Sequence, residues 1–121
     1  MSAASERGSV SVVCAAAITV ALVCTMGVAD VSRVLVERSR AEAAADAAAL
    51  AAAQDLALGT GDPAASTTSF ADANGAVLVA CSCAAGAADA IVTVRRSFTG
   101  LLLVPGALAV EAQARAVVDL P

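Results

Sequence analysis

The sequence predicts an α+β protein in which a long N-terminal transmembrane helix continues into an alanine-rich helix and packs against a small antiparallel sheet. Three observations lead to this fold class. Residues 8–29 contain no charged side chain. Residues 30–58 contain neither glycine nor proline and are rich in good helix formers. Within residues 76–121, apolar and polar side chains alternate with a period of two, which is typical of half-buried strands.

The uncharged segment 8–29 is long enough to cross a bilayer. Its 22 residues would form a helix of about 33 Å, which matches the thickness of the hydrocarbon core. Its strong aliphatic side chains favour insertion by roughly 2 to 5 kcal/mol in total. We therefore assign residues 1–8 to a short N-terminal segment and residues 9–29 to a transmembrane helix. The hydroxyls of Thr19 and Thr25 can donate to the carbonyl four residues back, so they need no other partner.

The helix is predicted to continue outside the membrane over residues 30–58. Two i,i+4 pairs of opposite charge, Arg33–Glu37 and Arg38–Glu42, would each stabilise it by roughly 0.3 kcal/mol. The glycine-containing run that follows Leu58 ends it. A helix from about Ser9 to this point would be about 75 Å long.

Residues 41–53 contain ten alanines in thirteen positions. Alanine is the best helix former, so this stretch could serve as a solvated spacer. Its small side chains could also let another helix approach closely, as small residues do between membrane helices. The packing face would then consist of Ala44, Ala45, Ala48, Ala49 and Ala52. A bulky substitution such as Ala48→Trp would in that case block association with partner subunits.

Residues 59–75 are predicted to form a loop and a short helix. Asp62 and Pro63 suit the N-cap and the first helical position, whereas Asn74 followed by Gly75 suits a C-terminal stop. The short helix should therefore run from residue 63 to about residue 73.

A small β domain is predicted over residues 76–121. Its strands are expected at 77–81, 91–98 and 108–117, the last with the clearest alternation. Three short strands are marginal alone, so the long helix must cover their apolar face. The apolar run at residues 101–106 could touch the membrane surface or cover the sheet, and we favour a loop packed on the sheet.

The composition argues against several functional classes. A net charge of −4 without a basic patch argues against nucleic acid, and Arg95 and Arg96 are interpreted as a solvated strand face. The chain has no histidine, and no base accompanies its serines and threonines, so we expect no enzyme activity and no small-molecule substrate. Only 2% of the residues are aromatic, which disfavours a conventional globular core. No cofactor is expected.

Four cysteines fall into two groups. Cys14 and Cys24 lie inside the apolar run, where they behave as small hydrophobic side chains. Cys81 and Cys83 form a C-x-C pair with no further ligands nearby in sequence, so we expect no metal site. The pair could form a disulfide if the domain faces an oxidising compartment, or remain as two free thiols on a strand.

Three segments carry a resemblance to a known family: RGSVSV at residues 7–12, ADVSR at 29–33 and AEAAADAAALAAA at 41–53. Together they resemble the TadE/TadG-like family of tight-adherence (Flp) pilus-assembly proteins, and most closely its short actinobacterial TadE-like branch, which is associated with secretion loci. The resemblance implies a pilin-like fold and the role of a minor pilin or pseudopilin in the cytoplasmic membrane. Such a subunit packs helix to helix with other pilin-like subunits on an assembly platform.

The resemblance also implies a processing site. In pilins of this type a membrane peptidase cuts after a glycine that precedes the apolar run, which corresponds to a cut between Gly8 and Ser9. Processed members carry a glutamate at the position of Val13, so this chain departs from their pattern.

The alternative is a secreted protein whose signal peptide is cleaved after Ala29. Gly27 and Ala29 provide small residues at the required positions, although the apolar run exceeds the usual length of a signal peptide.

Two indications of orientation disagree. The family implies a single-pass protein with the N-terminus inside and the C-terminal domain outside the cytoplasm. Basic residues near the span are Arg7 on one side, and Arg33, Arg38 and Arg40 on the other. The positive-inside rule alone would therefore place the domain in the cytoplasm. We expect the orientation that the family implies.

Overall fold

The computed structural model describes residues 2–119, with side chains from Gly8 onward. The elements in chain order are α1 (Ser2–Leu58), α2 (Pro63–Ala73), β1 (Val77–Ser82), β2 (Asp89–Phe98) and β3 (Leu108–Val117). This architecture confirms the predicted α+β fold class. Met1, at the start of the predicted segment 1–8, lies outside the described residues, as do residues 120–121 at the end of the predicted β domain.

Helix α1 is longer at its N-terminus than the sequence predicted. It begins at Ser2 rather than near Ser9, and residues 2–8 contain no proline that would interrupt it. Thr19 and Thr25 donate to the carbonyls of Ala15 and Ala21 at 2.9 and 2.8 Å, which confirms their predicted pairing. The helix ends at Leu58, as predicted.

The caps of α2 agree with the sequence. Asp62 accepts hydrogen bonds from the backbone N–H groups of Ala64 and Ala65, so it is the N-cap. At the other end Gly75 has a φ of +70°, which glycine adopts at little cost. A side chain at Gly75 would also collide with the guanidinium of Arg96, because a Cβ atom would lie 2.5 Å from its Nη1.

The three strands form one antiparallel sheet in the order β1-β2-β3. Strand β2 pairs with β3 from Asp89↔Val117 to Phe98↔Leu108 without interruption. The pairing of β1 with β2 shifts at Val79, which leaves a bulge in the edge strand. Strand β3 has the predicted bounds, and its apolar side chains alternate with Glu111, Gln113 and Arg115 as expected.

Both helices lie on one face of the sheet, and β2 runs antiparallel to α1. The side chains of Ala52 and Ala53 cluster with Ala90 at the start of β2, whereas Glu37 meets Arg96 near its end. We call the edge of the domain beside residues 30–37 its proximal end, and the edge beside Leu56 its distal end. The proximal end adjoins the apolar segment of α1, so the β2–β3 connection falls there.

Candidate functional site: an exposed apolar helix joined to a small folded domain

The apolar segment of α1 projects from the domain almost without contact. Its large side chains are exposed, for example Val12 at 69% and Val28 at 68%, and within residues 8–29 only Gly27 is partly covered. Of the described residues, this helix alone is long and apolar enough to cross a membrane. So much exposed apolar surface is unfavourable in water. The segment is therefore compatible with a single-pass membrane anchor.

Gly8 and Ser9, the predicted processing residues, lie at the start of this exposed segment. Both are exposed and helical, and a Cβ atom on Gly8 would meet nothing within 4 Å. Cleavage at this bond stays a prediction.

The alanine-rich stretch of α1 packs against other elements of the same chain. The five alanines of the predicted packing face have exposures of 0 to 2% (Ala44, Ala45, Ala48, Ala49 and Ala52). Their small side chains let α2 and the sheet approach α1 closely, with Val92 and Val94 of β2 in the same core. This corrects the interpretation of these alanines as a face for a partner helix, because the chain's own elements already cover it.

Glu37 is a buried carboxylate whose ion pair with Arg96 connects α1 to β2. Only 6% of the residue is exposed, and its carboxylate accepts hydrogen bonds from Arg96 and, at 2.9 Å, from Arg40. The hydrogen bond from Arg96 is the main cause that lowers the pKa of Glu37, with further electrostatic help from both arginines, while burial opposes the shift. Arg96 also donates to the carbonyls of Asn74 and Gly75 at 3.1 and 2.9 Å.

Two sequence interpretations change at this cluster. Glu37 pairs with Arg40 and Arg96, whereas the guanidinium of Arg33 lies against Gly100. Arg95 is solvated, as predicted, and pairs with Glu111. Arg96 points to the opposite face of the sheet, because successive side chains alternate along a strand. The predicted Arg38–Glu42 pair is present at 3.1 Å.

Asp30 joins α1 to the apolar loop, which we define as residues 101–104. Its carboxylate oxygens accept hydrogen bonds from the backbone N–H groups of Leu102 and Leu103 at 2.7 and 2.8 Å. The loop does not pack on the sheet as predicted, because α1 and α2 already occupy the apolar face there. Only the position of Asp30, directly after the uncharged run, could have singled it out in the sequence.

Cys81 and Cys83 form a disulfide in the structure, with their Cα atoms 5.5 Å apart. The Cys81 sulfur also lies 3.6 Å from the hydroxyl of Thr67 on α2. Cys14 and Cys24 are free and exposed on the apolar segment. Within residues 2–119 no group of three or more histidine, cysteine or acidic residues could hold a metal ion.

These features define a small α+β domain carried on one long helix whose N-terminal part is compatible with a membrane anchor. Residues 8–55 match the model of the Tad family, described as "Putative Flp pilus-assembly TadE/G-like". The match covers the apolar segment and the alanine-rich core stretch, and it supports this family and an association with pilus-assembly components. The comparisons with curated proteins and with solved structures gave no significant match.

Proposed function

We propose that the chain is a membrane-anchored minor pilin or pseudopilin-like subunit of a Tad-type pilus or secretion system, of the short actinobacterial TadE-like kind. One observation carries the proposal: a single helix supplies both a bilayer-length apolar segment and the spine of the folded domain. The family match over residues 8–55 covers that same helix. The role is structural rather than enzymatic, and the partners are other pilin-like subunits and their assembly platform.

The side of α1 turned away from the sheet offers these partners an apolar stripe. Val28, Val31 and Leu35 follow one another at spacings of three and four, so they share a helix face. Each is at least 60% exposed. We place the helix–helix contact on this stripe, because the alanine face is already covered by the chain's own sheet and α2.

Cysteine crosslinking in the native host tests the stripe. In a chain whose Cys14 and Cys24 are replaced by alanine, Leu35→Cys should crosslink to partner subunits several-fold better than Val36→Cys. Val36 is a matched control, because it is also apolar and exposed but lies about 100° around the helix. Equal yields at the two positions would place the contact elsewhere.

The mature N-terminus tests the anchor itself. We expect the protein in the carbonate-resistant membrane fraction, beginning at Ser9 if it is processed as a pilin or retaining Met1 if it is a plain anchor. The alternative, a small secreted protein with a signal peptide cleaved after Ala29, predicts soluble material beginning at Asp30. That result would overturn the proposal.

A further inference from the structure

We infer that the apolar loop is a second membrane contact, which dips into the lipid interface beside the end of the transmembrane helix. The inference rests on the proposed anchoring of residues 8–29 in a bilayer. It adds a surface of the folded domain that binds lipid, and so it fixes how close the domain sits to the membrane.

Exposure is the first reason. Leu102, Leu103 and Val104 are consecutive large apolar residues with exposures of 62, 48 and 43%. Elsewhere in the described part of the domain no three consecutive large apolar residues are exposed, and single ones such as Val117 are ordinary for a protein surface. Three in succession at one end of a small domain form a patch that favours an apolar environment.

The height of the loop along α1 identifies that environment as lipid. Leu103 lies against Gly27: a Cβ atom added to Gly27 would be 3.8 Å from Cδ1 of Leu103. Gly27 belongs to the last turn of the uncharged segment 8–29 and lies about 4.5 Å below Asp30 along the helix axis. If that segment spans the bilayer, Leu103 is level with its outer hydrocarbon boundary.

Two backbone N–H groups of the loop are already paired, which lowers the cost of an interfacial position. Backbone N–H groups that enter lipid without a partner are costly. Leu102 and Leu103 donate theirs to Asp30, and Pro105 has no N–H to satisfy. The same two hydrogen bonds compensate the buried carboxylate at the boundary.

One cationic side chain, that of Arg33, lies where lipid headgroups would begin. Arg33 is one turn above Asp30 and lies against Gly100 at the base of the loop. The groove of about 390 Å³ that Arg33 lines continues along α1 to Arg40, which is paired with Glu37 about 15 Å above Asp30, so Arg33 is the cation nearest the boundary. Arginines just beyond a transmembrane segment suit the interface, because they can reach phosphate groups while their stems stay apolar. The apolar tip and this cationic base therefore fit one lipid surface.

Depth-dependent quenching tests the inference on the full chain. With Cys14 and Cys24 replaced by alanine, single cysteines are introduced as Leu103→Cys, Val117→Cys and Val20→Cys. Each is labelled without reductant, so that the Cys81–Cys83 disulfide stays closed. The label is an environment-sensitive fluorophore, and the vesicles contain phosphatidylethanolamine, phosphatidylglycerol and lipids with a nitroxide either near the headgroup or near the end of the acyl chain. For each position, the stronger of the two quenching values is compared.

The two companion positions make each outcome interpretable. Val117 is also apolar, at 71% exposure, but lies at the distal end of the domain, whereas Val20 lies within the apolar segment. We expect quenching at position 103 to exceed that at 117 several-fold and to approach that at 20. If position 20 is strongly quenched but position 103 is quenched no more than position 117, the lipid contact of the loop is refuted and the proposed anchor stands. Weak quenching at 20 as well would overturn the proposed anchor together with it. Shielding at 103 without nitroxide quenching would mean a protein contact, and would also refute a lipid contact.

Discussion

At the scale of single residues, the domain depends on two buried carboxylates at its proximal end. Asp30 holds the apolar loop and Glu37 holds the end of β2, so both connect α1 to chain segments far away in sequence. Buried acidic groups are stable only where donors compensate their lost hydration. Their arrangement explains why a domain with so few aromatic side chains keeps a defined position on the helix.

Glu37 should make the stability of the domain depend on pH. Its pKa in the folded state lies below that of an ordinary glutamate, so the unfolded chain binds this proton first as the pH falls. The stabilisation is therefore complete above the unfolded-state pKa and is lost as the pH falls through that value toward the lower pKa of the folded state. Glu37→Gln should lower the free energy of unfolding at pH 7 by about 2 kcal/mol.

Denaturant unfolding of the full chain in detergent, at pH 7 and at pH 3.5, measures this effect. The difference between the wild type and Glu37→Gln should shrink at the lower pH. Glu42→Gln is the matched control, because it removes one exposed pair with Arg38, and its cost should stay within about 0.5 kcal/mol. The same loss for Glu37→Gln at both pH values would contradict the titration.

At the scale of elements, the sequence predicted what depends on neighbours along the chain. Helix α2 could be found from Asp62, Pro63 and Gly75, and β3 from its alternation, because caps and periodicity are local signals. The apolar loop and the partners of Glu37 were predicted wrongly, since they depend on how elements that are distant in sequence pack together. The alanine stretch was ambiguous for the same reason: its composition permits close packing but does not identify the neighbour.

Ala48→Trp tests the assignment of the alanine face to the chain's own core. Ala48 has no exposed surface, so an indole there must push α2 or the sheet away from α1, at a cost of about 3 kcal/mol or more. Ala43→Trp is the control, because Ala43 is on the same helix but exposed. Limited proteolysis of the membrane-bound full chain should cut the Ala48→Trp domain much faster than the Ala43→Trp domain. If both variants resist the protease equally and only Ala48→Trp loses crosslinking to partner subunits, the alanine face contacts a partner subunit instead.

At the scale of the whole molecule, the chain is a rod with a small domain on one side of one half. Helix α1 has 57 residues and is therefore about 86 Å long. The sheet and α2 cover one side of it from about Asp30 to Leu56, and residues 8–29, apart from Gly27, are exposed. Because the apolar segment and the core share one continuous helix, force applied to that segment would pass directly into the domain, as the proposed role in a pilus-like assembly requires.

The orientation of this rod is the last prediction, and we expect the domain outside the cytoplasm. The arginines beyond the span favour the opposite side, but the Cys81–Cys83 disulfide is typical of an oxidising compartment. A C-terminal alkaline phosphatase fusion should therefore be active, and a cytosolic β-galactosidase fusion at the same position inactive. Interrupting the span with Leu22→Arg and Val23→Arg should abolish the phosphatase signal, because two charges at its centre oppose insertion. An active cytosolic reporter beside a silent phosphatase, with both thiols open to alkylation in intact cells, would place the domain inside.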